Sequence, residues 1–129
     1  MRLTKLYIEP TNCCNMGCRT CIRNVWQEHA GSMTEMVFYR ILEGLRAFSP
    51  VPLAFFGGMG ESLLHPRIME MTAKIKTLGA RVELITNGTL LTPEMTHGLL
   101  DAVVDMLWVS LDGATSETYY RSVDTSTSI

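Results

Sequence analysis

Four cysteines, Cys13, Cys14, Cys18 and Cys21, are the only thiols of this chain, and all lie in one stretch, T-N-C-C-N-M-G-C-R-T-C, at 11–21. Read from Cys14, the spacing is C-x3-C-x2-C. A thiolate is a soft ligand suited to iron, zinc or copper, and three on one loop can wrap a single centre. Three thiolates saturate neither a tetrahedral zinc nor a cubane iron–sulfur cluster, because each normally takes four ligands. The pattern therefore calls for a further donor. His29, on the same loop, could complete a zinc site of three cysteines and one histidine, although structural zinc sites normally use two spaced pairs. Cys13 stands outside the spacing and reads as a packed or bystander thiol, and Arg23 could touch a carboxylate or face water, the second reading being favoured.

The elements that must hold this loop alternate. Residues 3–9 form a strand-like stretch closed by Pro10. After the cysteine loop, which runs to about Gly31, Ser32 and Glu35 make an S-x-x-E capping box. Phe38, Ile41, Leu42, Leu45 and Phe48 then repeat at helical spacing up to Ser49-Pro50. Residues 52–56 are short and apolar, fitting a strand buried on both faces, and end in a glycine-dense turn at 57–62. Ile68, Met71, Thr72, Ile75 and Leu78 mark a second helix over 66–78 with Gly79 as its C-cap. A strand follows at 81–86, closed by Asn87-Gly88. Thr92 and Pro93 then open a third helix with Met95, Leu99, Leu100 and Val103 on its inner face. A fourth strand at 106–111 leads into Asp112-Gly113-Ala114 and a helix start over 115–121.

Strand–helix alternation of this kind predicts an α/β fold with a parallel sheet and right-handed crossovers. Ligands of such sheets gather at the carboxyl ends of the strands. The cysteine loop and the turns 57–62, 86–88 and 110–113 all follow strands, so they are expected on one rim. His65 and His97 lie in polar, helix-adjacent surroundings and read as surface residues.

These four loops resemble, in order, the strand ends of radical S-adenosylmethionine (radical SAM) enzymes, and the resemblance covers residues 3–121. By that resemblance, Cys14, Cys18 and Cys21 hold a 4Fe-4S cluster whose fourth iron is left for the amino and carboxylate groups of SAM. F-F-G-G-M-G-E-S is similar to the family's G-G-E-P stretch, which assigns Gly58, Gly60 and Glu61 to the methionine moiety. I-T-N-G-T-L-L is similar to the third strand end and makes Asn87 a candidate contact; a plain Asn-Gly turn is the alternative. S-L-D-G-A-x-x-E-x-Y is similar to the fourth: Ser110 would bond the ribose or carboxylate of SAM, and Asp112 would support its loop, unless it serves only an Asx-type turn or helix cap. The implied chemistry is reductive cleavage of SAM to a 5′-deoxyadenosyl radical that abstracts hydrogen from a substrate. The implied partners are an electron donor such as ferredoxin or flavodoxin and a peptide, protein or cofactor precursor as substrate. Members carrying further clusters in a C-terminal extension, among them peptide maturases and tungsten-cofactor-modifying proteins, look most alike.

The family's barrel has about six strand–helix units, and this chain supplies roughly half; a full eight-fold barrel takes about 250 residues. The expected organisation is therefore the N-terminal half of a partial (β/α)6 TIM-like barrel over 1–121, with 122–129 a polar tail or truncation point. An open last strand would invite self-association. The competing reading is a zinc- or metal-binding module or inactive fragment. With 129 residues, 47% hydrophobic, and a net charge of −2, nothing implies a nucleic-acid partner. The apolar runs are too short and interrupted to span a membrane, and without a leader-like apolar core the expectation is a cytoplasmic protein.

Overall fold

The computed structural model describes residues 3–25 and 27–124. Strands β1 (Lys5–Ile8), β3 (Leu53–Phe56), β4 (Val82–Thr86) and β5 (Met106–Val109) lie side by side in the order β1-β3-β4-β5, every neighbouring pair parallel. Helices α1 (Glu35–Leu45), α2 (Ile68–Lys76) and α3 (Pro93–Asp101) make the crossovers, so the expected alternation of strand and helix is present. A two-residue strand β2 (Gly17–Cys18) lies inside the cysteine loop and pairs antiparallel with β6 (Val123–Asp124), which follows helix α4 (Ser116–Ser122). Residues 122–124 of the expected polar tail are thus helix and strand, and the rest of that tail, 125–129, lies outside the described residues.

The core sits between one face of the sheet and the crossover helices. Ile8, Ala54, Phe56, Val82 and Leu84 point to Phe38, Leu42 and Leu45 of α1 and Ile68, Met71 and Ile75 of α2, all buried in one cluster. Alternation along each strand sends the other side chains to the opposite face. There Lys5 Nζ and Trp108 Nε1 each donate to Glu83 Oε2 at 3.3 Å, and Lys5 lies 4.1 Å above the Phe55 ring, a cation–π contact. This face is open: Tyr7 and Trp108 are exposed and Leu53 and Phe55 only half-buried. The stretch 52–56 is therefore a strand buried on one face, not on both, because no second layer covers the far side of the sheet among the described residues.

Helix boundaries depart from expectation where a cap was misjudged. The N-cap of α1 is Thr34, whose hydroxyl accepts the Val37 N–H, and not Ser32. Ser32 instead bridges to Thr11, donating its hydroxyl to Thr11 Oγ1 at 3.0 Å. Phe48 lies beyond the helix end at Leu45 and is exposed. Helix α2 runs from Ile68 to Lys76, and Gly79, at φ 77°, sits two residues past its Thr77 cap in the left-handed region that glycine tolerates. In α3 the Thr92 cap and Pro93 stand as expected, with Thr92 Oγ1 accepting from Met95 N. Leu99 is its only buried residue, however, and Leu100 and Val103 are exposed. Successive helical residues point about 100° apart, so a narrow contact takes Leu99 and not Leu100. Val103 follows the cap Ala102 at φ 59°, which turns it away from the helix face. No helix among the described residues is long and apolar enough to cross a membrane.

Candidate functional site

The cysteine loop is closed at its base by a polar seam. Thr11, 3% exposed, donates its hydroxyl to Gly31 O at 2.8 Å and accepts the Cys13 N–H. Asn12 donates its backbone N–H to Gly31 O and its Nδ2 to His29 O, while its Oδ1 accepts the Gly31 N–H. Two adjacent side chains thereby stitch both ends of a long loop, satisfying backbone groups that no sheet partner reaches.

The loop is then pressed onto the end of β3. The Glu61 N–H donates to Cys13 O at 2.7 Å. A side chain at Gly60 would run into the carbonyl oxygens of Thr11 and Cys13, so this position can only be glycine if the two backbones meet this closely. Gly58 is similarly confined by the Glu9 carboxylate, which accepts the Met59 N–H and ties the end of β1 to the same turn.

Glu61 was expected at the methionine moiety of SAM or in water; it is 2% exposed. Its Oε1 accepts the Leu63 N–H at 3.0 Å and its Oε2 the Asn87 N–H at 2.7 Å. The carboxylate is used within the protein and joins the turn after β3 to the turn after β4. Asn87 continues the linkage: Nδ2 donates to Asn15 Oδ1 at 3.0 Å and reaches Cys14 Sγ at 3.8 Å.

These contacts gather the candidate residues. Cys14, Cys18, Cys21, Gly58, Gly60, Glu61, Asn87 and Ser110 line one cavity of about 160 Å³, together with Met59, Ile85 and Thr86. Four separate strand ends contribute to it, as the rim argument required. Asp112 does not line the cavity; its carbonyl accepts the Ser122 hydroxyl at 3.3 Å and its carboxylate lies beside Cys18. Burial, the Asp112 carboxylate and the neighbouring Cys14 and Cys21 thiols push the Cys18 thiol above its ordinary value. A bound cation would reverse that balance, since coordination deprotonates a thiol outright.

All four cysteines are free thiols. Among the described residues, no three His, Cys, Asp or Glu side chains converge closely enough to hold a metal ion. Cys14, Cys18 and Cys21 all line the one cavity. His29 is exposed and does not line the cavity, so the arrangement of three cysteines and one histidine is not assembled. Cys13 lies off the cavity, with its Sγ directed at Gly31 O.

His65 overturns the surface expectation. It is 5% exposed, its Nδ1 accepts the Arg67 N–H, and its Nε2 faces Met33 O at 3.1 Å. The accepting Nδ1 fixes Nε2 as the donor. His97 is exposed, as expected.

Several residues that build the site carried no signal as ligands: Thr11, Asn12, Glu9 and Asn15. Tyr119 leans over the cysteine loop, its hydroxyl 3.7 Å from the Met16 sulfur. Burial and the nearby Cys18, Asp112 and Tyr120 raise its phenol above the ordinary value. Thr11-Asn12 directly before a cysteine cluster was the one legible hint, since both side chains favour local bonds to backbone.

Comparison with known proteins places this geometry. A family model described as the Radical SAM superfamily matches residues 8–128. The chain is 38% identical over 107 residues to the tungsten-containing aldehyde ferredoxin oxidoreductase cofactor-modifying protein of Pyrococcus furiosus, covering 83% of this chain and 30% of that protein. It is 36% identical over 112 residues to the AdoMet-dependent heme synthase of Methanosarcina barkeri, covering 86% of this chain and 32% of that one. Among solved structures, BtrN in complex with AdoMet and 2-DOIA superposes with a TM-score of 0.80 at 21% identity, covering 94% of this chain and 50% of BtrN. The chain thus spans about a third of the length of the two curated relatives.

Proposed function

This chain belongs to the radical SAM superfamily, and from that premise we propose that Cys14, Cys18 and Cys21 hold a 4Fe-4S cluster with one iron left for SAM. The observation that carries the reading is the convergence of these three thiols with Gly58, Gly60, Asn87 and Ser110 on one cavity. Three thiols line that cavity, one fewer than the four thiolates a cubane cluster normally takes, which fits a cluster that keeps one corner open. A cluster held by Cys14, Cys18 and Cys21 would supply, once reduced by an external donor, the one electron needed for reductive cleavage of SAM to methionine and a hydrogen-abstracting 5′-deoxyadenosyl radical.

The chain's own part is binding, orientation and shielding. Gly58 and Gly60 let the turn after β3 close on Glu9 and on the cysteine loop, which brings its backbone to the cavity where the methionine moiety would lie. Ser110, exposed at the cavity rim, offers a hydroxyl to the ribose or carboxylate. Glu61 lines the same cavity beside Gly58 and Gly60, its carboxylate accepting the Asn87 N–H and its backbone N–H donating to Cys13 O, and so belongs with them to the turn assigned to the methionine moiety. Asp112 holds its loop against Ser122 and sits beside Cys18.

The two curated relatives are named for a cofactor modification and a heme synthesis, and these names support a cofactor precursor as the substrate class here. An electron donor such as ferredoxin or flavodoxin in a cytoplasmic setting completes the proposal. Met106, Trp108 and Val109 of the edge strand β5 are exposed, which supports pairing of further strands or of a second copy at that edge.

The test is anaerobic iron–sulfur reconstitution followed by electron paramagnetic resonance with and without SAM. A reduced-cluster signal that shifts on addition of SAM is the expected result. A colourless protein that binds zinc one-to-one through the same cysteines would overturn it.

A further inference from the structure

The amide of Asn87 belongs to a closed ring of hydrogen bonds whose directions are all determined. Asn87 Nδ2 donates to Asn15 Oδ1 at 3.0 Å, Asn15 Nδ2 donates to Thr89 Oγ1 at 2.8 Å, and the Thr89 hydroxyl donates to Asn87 Oδ1 at 2.7 Å. The Thr89 backbone N–H also donates to Asn87 Oδ1, at 2.9 Å. A backbone N–H can only donate, so Oδ1 is fixed as the acceptor and a flipped amide is excluded. Asn15 is oriented by the same logic, because Thr89 Oγ1 spends its proton on Asn87 and must accept from Asn15.

One amide proton of Asn87 remains outside the ring, and Cys14 Sγ lies 3.8 Å from Nδ2. The backbone of Asn87 is held independently by the buried carboxylate of Glu61. Main chain and side chain are therefore both anchored, and the spare proton has a fixed direction.

We propose that Asn87 is a positioning residue whose side-chain amide donates to the Cys14 sulfur and thereby sets the reduction potential of the centre those thiolates carry. The inference rests on the cluster reading given above. A donor at a ligating sulfur draws electron density from it and favours the more negative, reduced state of the cluster. The Asn15–Asn87–Thr89 ring keeps the donor aimed at the Cys14 sulfur. The proposal gives the Asn-Gly turn after β4 a task that its turn geometry alone does not require.

The experiment is a redox titration of the reconstituted chain without SAM, followed by electron paramagnetic resonance, with iron content measured on each sample. Asn87→Ala removes the donor, and Asn87→Asp replaces it with a negative oxygen. Both are expected to take up iron as the parent does and to titrate at more negative potentials, Asn87→Asp furthest. Thr89→Val keeps the donor and the backbone N–H at Asn87 Oδ1 but opens the ring by removing the hydroxyl that bonds both Asn87 and Asn15, and a smaller negative shift is expected. If the Asn87 variants lose the cluster, Thr89→Val decides, and an unchanged potential there overturns the proposal. A cluster that loads normally and titrates at the parent potential in Asn87→Asp also overturns it while leaving the cluster reading intact. A parent chain that takes up no iron overturns both.

Discussion

The Glu61 carboxylate accepts the backbone N–H of Asn87 at 2.7 Å from a site only 2% exposed, fastening the turn after β3 to the turn after β4. Its other oxygen accepts the Leu63 N–H. Glu61→Gln keeps one acceptor and turns an amide toward the second backbone donor. We expect a loss of about 2 kcal/mol, within the range for hydrogen bonds to charged groups. Urea unfolding measures it: the midpoint should fall with little change of slope, and a midpoint equal to the parent's would show that the carboxylate does not link the turns.

Gly60→Ala sets a side chain against the carbonyls of Thr11 and Cys13, while Gly44, inside α1, has nothing within 4 Å of the corresponding position. Gly60→Ala should cost about 1–3 kcal/mol, as overpacking does. Gly44→Ala should stabilise by up to about 1 kcal/mol through helix propensity. Thermal melts of the pair should move in opposite directions.

Thr34→Ala removes the side-chain cap of α1 and should cost about 1 kcal/mol. Ser32→Ala leaves that cap in place and touches only the bond to Thr11. Circular dichroism melts should show the larger loss for Thr34, and a larger loss for Ser32 would restore the S-x-x-E box as the helix start.

Iron content after anaerobic reconstitution should separate the cysteines. Replacement of Cys14, Cys18 or Cys21 by serine is expected to lower iron several-fold, because each lines the cavity. Cys13→Ser, which lies off the cavity, should retain the parent content. Equal losses for all four would break the assignment.

Asp105 contributes to the acid response. Burial alone would raise its carboxyl, but the Lys76 ammonium at 2.7 Å and the Val82 N–H, also at 2.7 Å, outweigh this and hold it below the usual carboxylate range. A depressed carboxyl stabilises the fold above its unfolded value of about 3.9, and the contribution is lost as pH falls through the lower folded value. Unfolding midpoints followed downward from pH 5 should therefore fall less steeply in Asp105→Asn than in the parent.

Strand and helix order, and the gathering of the cysteines with Gly58, Gly60, Asn87 and Ser110, were legible because period, caps and glycine turns are local signals. What escaped was set by distant partners. Ser32 looked like a cap, but Thr11 claims it; His65 looked like a surface residue, but Met33 O and the Arg67 N–H bury it. Glu61 could be placed at the site by its turn, yet its partner, the Asn87 amide, is 26 residues away and leaves no trace in spacing. Leu100 and Val103 fitted a helical stripe, but the helix ends at Asp101 and its contact is one residue wide.

The pairing of β2 with β6 bears on how the chain acquires its site during synthesis. Gly17 and Cys18 find their ladder partners only in Asp124 and Val123, and the Tyr119–Met16 contact likewise spans 103 residues. Contacts of such long separation close late, because chain entropy must be met before they reward it. While residues 119–124 are still within the ribosome, β1, β3 and β4 can already pair, yet the cysteine loop lacks its final clamp. On the cluster reading proposed above, iron delivered to the nascent chain would meet thiols on an unclamped loop, and the order of emergence would favour insertion after these residues have left the exit tunnel.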